Sequence, residues 1–300
     1  MQNPAEKIFS VKNFDYNRTE PCIVRETAHW AVVYKPPHLP TAPLRADERN
    51  TLVYWFLHSP EVQKQSAEYG LRSREAQVRG KKAIEAGLLH RLDTDTRGLV
   101  LFAKDQAVYD FLAARQEAGQ MIKTYCAFVE PNRVPEIDNG YGFGATELST
   151  LKERSTAREQ VVVQEGIAAQ LPLTLESQFR NFGPGAKRVV PVFLGSRHYK
   201  KDGRLYTTVI EAADILPSPP LIRVRCRLSR GYRHQVRAHL AAAGLPIVGD
   251  PLYAPQGAEA QPESAQVGLQ LYAVSLAFPD LENPRQSIRV ALPPPDKMTP

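Results

Sequence analysis

The run His90-Arg91-Leu92-Asp93-Thr94-Asp95-Thr96 sets an imidazole, a guanidinium and two carboxylates just ahead of an apolar stretch, Leu99–Ala103, that has the pattern of a buried strand. Two aspartates at this spacing share a face if the segment is a strand. In a turn they act as capping groups, which is the ordinary role of such a pair. A glycosidase needs two carboxylates across a cleft, an arrangement sequence neighbours rarely provide. A metal site needs more ligands at ligand spacing, and His234 and His239, five apart, fall off a common helical face. Two readings stay open: a solvated turn ahead of an ordinary strand, or a reactive carboxylate held at the edge of a core.

Other chemistry-bearing residues stand elsewhere in the chain. Tyr125 lies in Lys-Thr-Tyr-Cys-Ala-Phe, an alternating segment in which Lys123, Tyr125 and Ala127 share one face. A tyrosine there is most often core. Arg237 lies in an apolar-periodic helix pattern four residues after Arg233, so the two are expected to point the same way. Residues 221–231 alternate most cleanly. Ile222, Val224, Cys226 and Leu228 take one face, and Arg223, Arg225 and Arg227 the other. Three arginines on one strand face repel one another unless solvent or an anion covers them. A further basic run, residues 72–87, carries five Lys/Arg and two glutamates, and reads as a solvated helix face or a phosphate contact.

Composition narrows the partners. In 300 residues the formal net charge is +6, with 43% apolar and 23% charged residues, so the chain is globular and favours a polyanion. Nucleic acid is the commonest such partner, and an anionic membrane surface is the rival. No run approaches the roughly 18 apolar residues of a membrane span, and the first residues lack a signal-peptide core. Cys22, Cys126 and Cys226 form no CxxC spacing, which argues against a zinc ribbon or disulfide framework and for a reducing, cytoplasmic compartment.

The elements that must position these residues follow from period and punctuation. Residues 1–22 read as an extension. Strands are predicted near 22–25 and 30–34, stopped by Pro36-Pro37. A helical region over 50–86 is capped by Asn50. A helix capped by Asp105 ends at Gly119, and the Tyr125 strand follows. Residues 131–205 are loop-rich, with short strands at 160–164 and 188–194. The Arg223–Arg227 strand, the Arg237 helix ending at Gly244, a strand in Leu-Gln-Leu-Tyr-Ala-Val-Ser-Leu-Ala-Phe and a last strand near 287–292 complete the chain. The absence of regular βαβ alternation predicts an α+β fold with a largely antiparallel sheet.

Taken in order, four segments resemble the RluA-type pseudouridine synthases. His-Arg-Leu-Asp at 90–93, followed by a threonine, a glycine and the apolar strand, resembles the family's hallmark motif. Val-Val-Tyr-Lys-Pro-Pro at 32–37 resembles its earlier strand-Lys-Pro segment, and Lys-Thr-Tyr at 123–125 its Lys-x-Tyr strand. Residues 231–253 resemble its third motif, which ends in Gly-Asp-x-x-Tyr. The resemblance implies a mixed, largely antiparallel sheet with helices and a central basic cleft, in one catalytic domain over 23–295. No small N-terminal RNA-binding domain is evident. It implies Asp93 as the catalytic carboxylate, Tyr125 as the ring against the target base, and Arg237 as the partner of Asp93, the three gathered in one hollow. Arg91 helps fill the gap left by the extruded nucleotide. His90, Lys35, Arg223, Arg225, Arg233, His234 and Gln235 are the further residues expected to contact RNA. The implied reaction is uridine-to-pseudouridine isomerisation in structured rRNA or tRNA by a monomer, with no cofactor and no metal. The alternative is a catalytically silent RNA-binding protein on the same fold. The chain departs from the family pattern at Arg97 (serine is usual), His38 and Glu130 (glycine), and Tyr232 (arginine). Those departures are expected to bear on which RNA is bound rather than on the reaction.

Overall fold

The computed structural model describes residues 6–60, 78–129, 171–216, 221–253 and 267–299. They divide into two compact units. One comprises Met1–Thr124 with Tyr272–Asp296, the other Tyr125–Leu271 with Lys297–Pro300.

In the first unit the apolar alternation of the early chain forms β2 (Cys22–Glu26) and β3 (Trp30–Lys35), and the stretch after the Asp93 turn forms β4 (Arg97–Ala103). Both β3 and β4 are buried at every position, because sheet neighbours and helices cover both of their faces. β10 (Leu271–Pro279) runs parallel to β4, and β11 (Ser287–Ala291) antiparallel to β10. The unit's strand order is β2-β3-β4-β10-β11-β1, closed by β1 (Glu6–Ser10) running parallel to β11. Residues 6–10 are thus a sheet strand although they read as an extension. Their alternation is weak because four of the five stay exposed, and pairing rather than burial holds them. Tyr16 from the same region is also core, edge-on to Tyr272 at 5.2 Å.

Among the described residues two helices cover this sheet. α1 (Leu52–His58) stacks Phe56 on Phe102 of β4 at 4.1 Å. Its cap is Thr51, whose hydroxyl accepts from the Tyr54 amide, and not Asn50. α2 (Gln106–Glu117) is capped by Asp105 as expected, with Val108 and Leu112 buried. Of the helical region expected over 50–86, α1 ends at His58, and residues 61–77, which include the start of the basic run at 72, lie outside the described residues. Its remainder is a loop with Gly80 at φ +60° and a single 3-10 turn at Ala83–Glu85. Gly98 is the glycine the topology demands: its φ is +133°, and a Cβ there would lie 2.3 Å from the Ala273 carbonyl oxygen. Only a residue without a side chain lets β10 pair with the start of β4.

The second unit contains β5 (Ile122–Val129, from Tyr125 onward), β6 (Leu173–Phe182), β7 (Arg188–Val192), β8 (Tyr206–Leu216) and β9 (Leu221–Leu228), in the order β5-β9-β8-β6-β7. The β6–β7, β6–β8 and β8–β9 pairs are antiparallel. α3 (Gln235–Ala242) packs against β7 and β8. The expected strand at 160–164 lies outside the described residues. Among the described residues no helix is long and apolar enough to cross a membrane.

His239 ties α3 to this sheet. Its Nε2 is 2.8 Å from Ser177 Oγ on β6, and its Nδ1 is 2.9 Å from Thr208 Oγ1 on β8. Burial lowers its pKa from 6.5 to about 3. The unfolded chain therefore takes up a proton below about pH 6.5 that the native state refuses until about pH 3, and the stability contributed by the neutral ring is lost across that window. The urea midpoint of the wild type is expected to fall more steeply between pH 6.5 and 4 than that of H239Q. Equal slopes in paired denaturation series would refute the assignment.

Candidate active site

The Asp93 turn is built from the end of β3 and the start of β4. Lys35 is the last residue of β3 and is wholly buried. Its ammonium donates to the carbonyls of Pro36 at 2.9 Å, Leu39 at 2.8 Å and Thr94 at 2.8 Å. Three acceptors require the three protons of the charged form. Burial pulls the Lys35 pKa from 10.5 to about 7, the nearby Asp93 and Asp95 carboxylates oppose that fall, and Arg97 adds to it. A second tie comes from Thr41, whose hydroxyl donates to the Leu92 carbonyl at 2.7 Å and accepts from the Leu92 amide at 3.1 Å. The Thr96 amide then donates to the Asp93 carbonyl at 3.1 Å and closes the turn. The result is a half-buried Asp93 on a backbone fixed from both sides.

The neighbours of Asp93 sort by depth. Arg91 is exposed, with its guanidinium 4.0 Å from the buried Glu85 carboxylate. His90, expected to meet RNA, is buried instead. Its Nε2 accepts from the Leu101 amide at 3.3 Å, which assigns the proton to Nδ1 and props β4. Burial and the adjacent Lys123 hold its pKa well below 6.5. Lys35, also expected at the RNA, uses its donors internally and acts as a positioning residue.

The departures from the family pattern gain physical reasons here. Arg97 is fully buried, with its guanidinium 5.2 Å from the Tyr272 ring centroid and one nitrogen 3.4 Å from the Tyr16 carbonyl. It belongs to the packing of the first unit and not to an RNA-facing surface. His38 has φ +60°, the left-handed region in which glycine is at home, and its ring nitrogen lies 3.0 Å from an Asp95 oxygen. Glu130 lies outside the described residues.

In the second unit Tyr125 is buried within β5, with 8% of its surface exposed. Arg237 sits on α3, 3% exposed, and makes a bidentate pair with Asp250: Nε to Oδ2 and Nη2 to Oδ1, each 2.7 Å. Asp250 Oδ1 also accepts from the Leu252 and Tyr253 amides, and the Arg237 guanidinium lies 5.3 Å from the Tyr253 ring. Asp250 and Tyr253 therefore hold Arg237, a role that the Gly-Asp-x-x-Tyr segment carries without marking either one for it. Arg233 and Arg237 diverge rather than share a face, because α3 begins only at Gln235, after His234 in left-handed backbone at φ +54°. Arg233 instead donates to Asn181 Oδ1 and to the Ala186 and Arg188 carbonyls. His234 Nδ1 is 3.1 Å from the Tyr253 hydroxyl. Gln235 is buried and shapes the helix start by accepting from the Tyr232 amide and donating to Thr207 and Thr208. Tyr232 stacks on Phe179 at 5.0 Å and 7°.

The β9 arginines meet acids rather than one another. Asp214 lies directly across from Arg223 and binds it at 2.9 Å. The register shifts between Ile210 and Ala212, leaving Glu211 as the extra residue. Its carboxylate reaches Arg227 at 2.6 Å and Arg225 at 3.7 Å. A bulge thus supplies a counter-charge that no alternation rule for β9 could reveal. Among the described residues no cluster of three or more His, Cys, Asp or Glu has the geometry of a metal site.

A family model described as RNA pseudouridylate synthase matches residues 29–242, more than two thirds of the chain. The chain belongs to the RNA pseudouridylate synthase family. Its α+β, mostly antiparallel architecture is that of pseudouridylate synthase domains. It is similar to the human RNA pseudouridylate synthase domain containing 4 (TM-score 0.54, 17% identity, covering 91% of this chain and 88% of that one). It is similar also to domain containing 1 (TM-score 0.53, 19% identity, 95% and 87%). Among curated relatives it is 25% identical over 231 residues to the ribosomal large subunit pseudouridine synthase D of Zymomonas mobilis, covering 77% of this chain and 55% of the relative. To the Pseudomonas aeruginosa protein of the same name it is 25% identical over 232 residues, covering 77% and 52%. The chain spans about half the length of the curated relatives it matches.

The Lys35 ties define the expected effect of removing them. Lys35→Met leaves three carbonyls without their donor, each worth about 1–3 kcal/mol if it stays dry. Amide hydrogen exchange at Thr96 is expected to accelerate at least tenfold. Unchanged protection of that amide would show that the turn does not depend on Lys35.

Proposed function

We propose that this chain is an RNA pseudouridine synthase that uses Asp93 as its reactive carboxylate. One observation carries it: the His-Arg-Leu-Asp turn of the family's hallmark motif leaves Asp93 half-exposed on a backbone pinned by Lys35 and Thr41. Rigid backbone beneath an accessible carboxylate is what positions a group for attack or proton transfer.

The reaction is an internal rearrangement. The C1′–N1 bond of uridine breaks, the uracil turns, and C1′ bonds to C5. The proton on C5 is lost and N1 gains one, so the product has the mass of the substrate. Asp93 must be ionised for either route, attack as a nucleophile or removal of a proton on the way to a glycal. Tyr125 and Arg237 are assigned to the same uridine on the strength of the ordered motifs. Those motifs assign Tyr125 to the base and Arg237 to the support of the reaction. A base inside folded RNA must be flipped out, at a cost of a few kcal/mol, and Arg91, exposed beside Asp93, fills the vacated position. The relatives named for the ribosomal large subunit make its RNA the first substrate to test, with transfer RNA second. Cytoplasmic action as a monomer completes the proposal.

Asp93→Asn is expected to abolish pseudouridine formation while leaving RNA binding intact. The measurement compares RNA from cells with the wild-type gene, without it, and with the variant, mapping pseudouridine by adduct-induced stops in reverse transcription. Arg237→Gln is expected to slow pseudouridine formation in the same mapping while RNA binding is retained. Loss of no mapped position in the gene-deleted cells would overturn the proposal.

A further inference from the structure

We propose that the β6–β7 hairpin and the loop after it form a second RNA-contacting surface, which takes unpaired nucleotides outside the target uridine. It rests on the pseudouridine synthase proposal for its ligand class, RNA, and adds where that RNA is held.

Charge comes first. From Ser177 to Arg204 the chain carries Arg180, Lys187, Arg188, Arg197, Lys200, Lys201 and Arg204 against a single acid, Asp202. No ion pair among the described residues engages Arg180, Lys187, Arg188, Arg197 or Arg233, whereas every arginine of β9 faces Asp214 or Glu211. The uncompensated cations are held together rather than spread out. Gln178 fastens the loop to β6 by accepting from the Lys200 amide and donating to the Lys200 and Gly203 carbonyls. Arg197 donates to His198 at 3.1 Å, and desolvation, then Arg180 and Arg197, disfavour a proton on that ring. Arg233 binds Asn181 and the Ala186 and Arg188 carbonyls, tying the hairpin tip to the start of α3. Like charges fixed at close range match a polyanion that supplies the missing counter-charge.

Shape comes second. Phe182 ends β6 at the hairpin tip and is 42% exposed. The Arg180 and Arg188 guanidiniums lie 5.3 and 5.5 Å from its ring centroid. Register explains the cluster, because Arg188 is the cross-strand partner of Phe182, and Arg180 is two residues away on the same face. An exposed ring with two guanidiniums beside it offers a flat π surface next to phosphate-binding donors, the combination that holds single-stranded nucleic acid without reading its sequence. A duplex, whose bases are already stacked, has no use for the ring, so the surface favours unpaired nucleotides.

Fluorescence anisotropy with a labelled 12-nucleotide single-stranded oligouridine, over a salt series, tests this on the full chain. Phe182→Ala is expected to weaken binding about tenfold with little change in salt slope. Arg180→Gln with Arg188→Gln is expected to reduce the slope by about 1.4, at roughly 0.7 for each phosphate no longer neutralised. Lys7→Gln with Arg289→Gln, on the ion-paired β1–β11 edge, is expected to leave the slope unchanged. Melting curves confirm that each variant is folded. Hairpin variants that bind like wild type, a slope that falls only in the β1–β11 variant, or no binding by the wild type would each overturn the inference. Pseudouridine mapping separates the two proposals. Wild-type modification with hairpin variants that bind normally sinks the surface and leaves the Asp93 reaction standing. Hairpin-dependent binding without any modification supports the surface and sinks the reaction.

Discussion

A lysine ammonium with no access to water must find acceptors within its own reach, and Lys35 finds three backbone carbonyls, two in the loop after β3 and one in the turn that carries Asp93. Removing that charge from solvent costs several kcal/mol, and only well-placed acceptors and nearby carboxylates offset it. The consequence is structural. The loop after β3 and the turn before β4 cannot drift apart without stranding the ammonium. The position of Asp93 therefore follows from the burial of another residue 58 positions earlier in the chain.

The same logic recurs in the second unit with opposite roles. There the buried cation is Arg237, and the acceptor is Asp250, which also takes two backbone amides of its own loop. A guanidinium suits this place because its fork matches both carboxylate oxygens at once. Each unit thus holds a chemistry-bearing segment by a buried charge. Aromatic rings supply the surrounding low-polarity shell: Tyr16 and Tyr272 beside Arg97, and Tyr253 beside Arg237.

Charge that remains on the surface divides into two kinds. On β9 it is offset in place, because a bulge in β8 releases Glu211 to face two arginines and Asp214 faces the third. On the β6–β7 hairpin it is concentrated by hydrogen bonds that pin a basic loop next to a basic strand. Net charge alone cannot distinguish these cases, since both segments look equally cationic when read as sequence. The difference lies in which strands are neighbours.

Much of the architecture is legible in the residues. The alternation of β9, the Asp105 cap, the turn glycines at 119 and 244, and the apolar runs of β3 and β4 are local signals with local causes. So is the ordered set of motifs that marks the family. What stayed illegible depends on partners distant in sequence. β1 exists because β11 offers it an edge, and the 78–86 segment forgoes a helix although its composition allows one. The sequence by itself determined which residues can do chemistry and the class of fold that carries them, because residue type and period are local properties. Tertiary structure alone decided that Lys35 and His90 face inward, that Arg97 is core, that Arg237 is matched by Asp250 and that the β9 arginines are neutralised. Burial and charge pairing are set by whichever segments the fold brings alongside, and no local pattern encodes that.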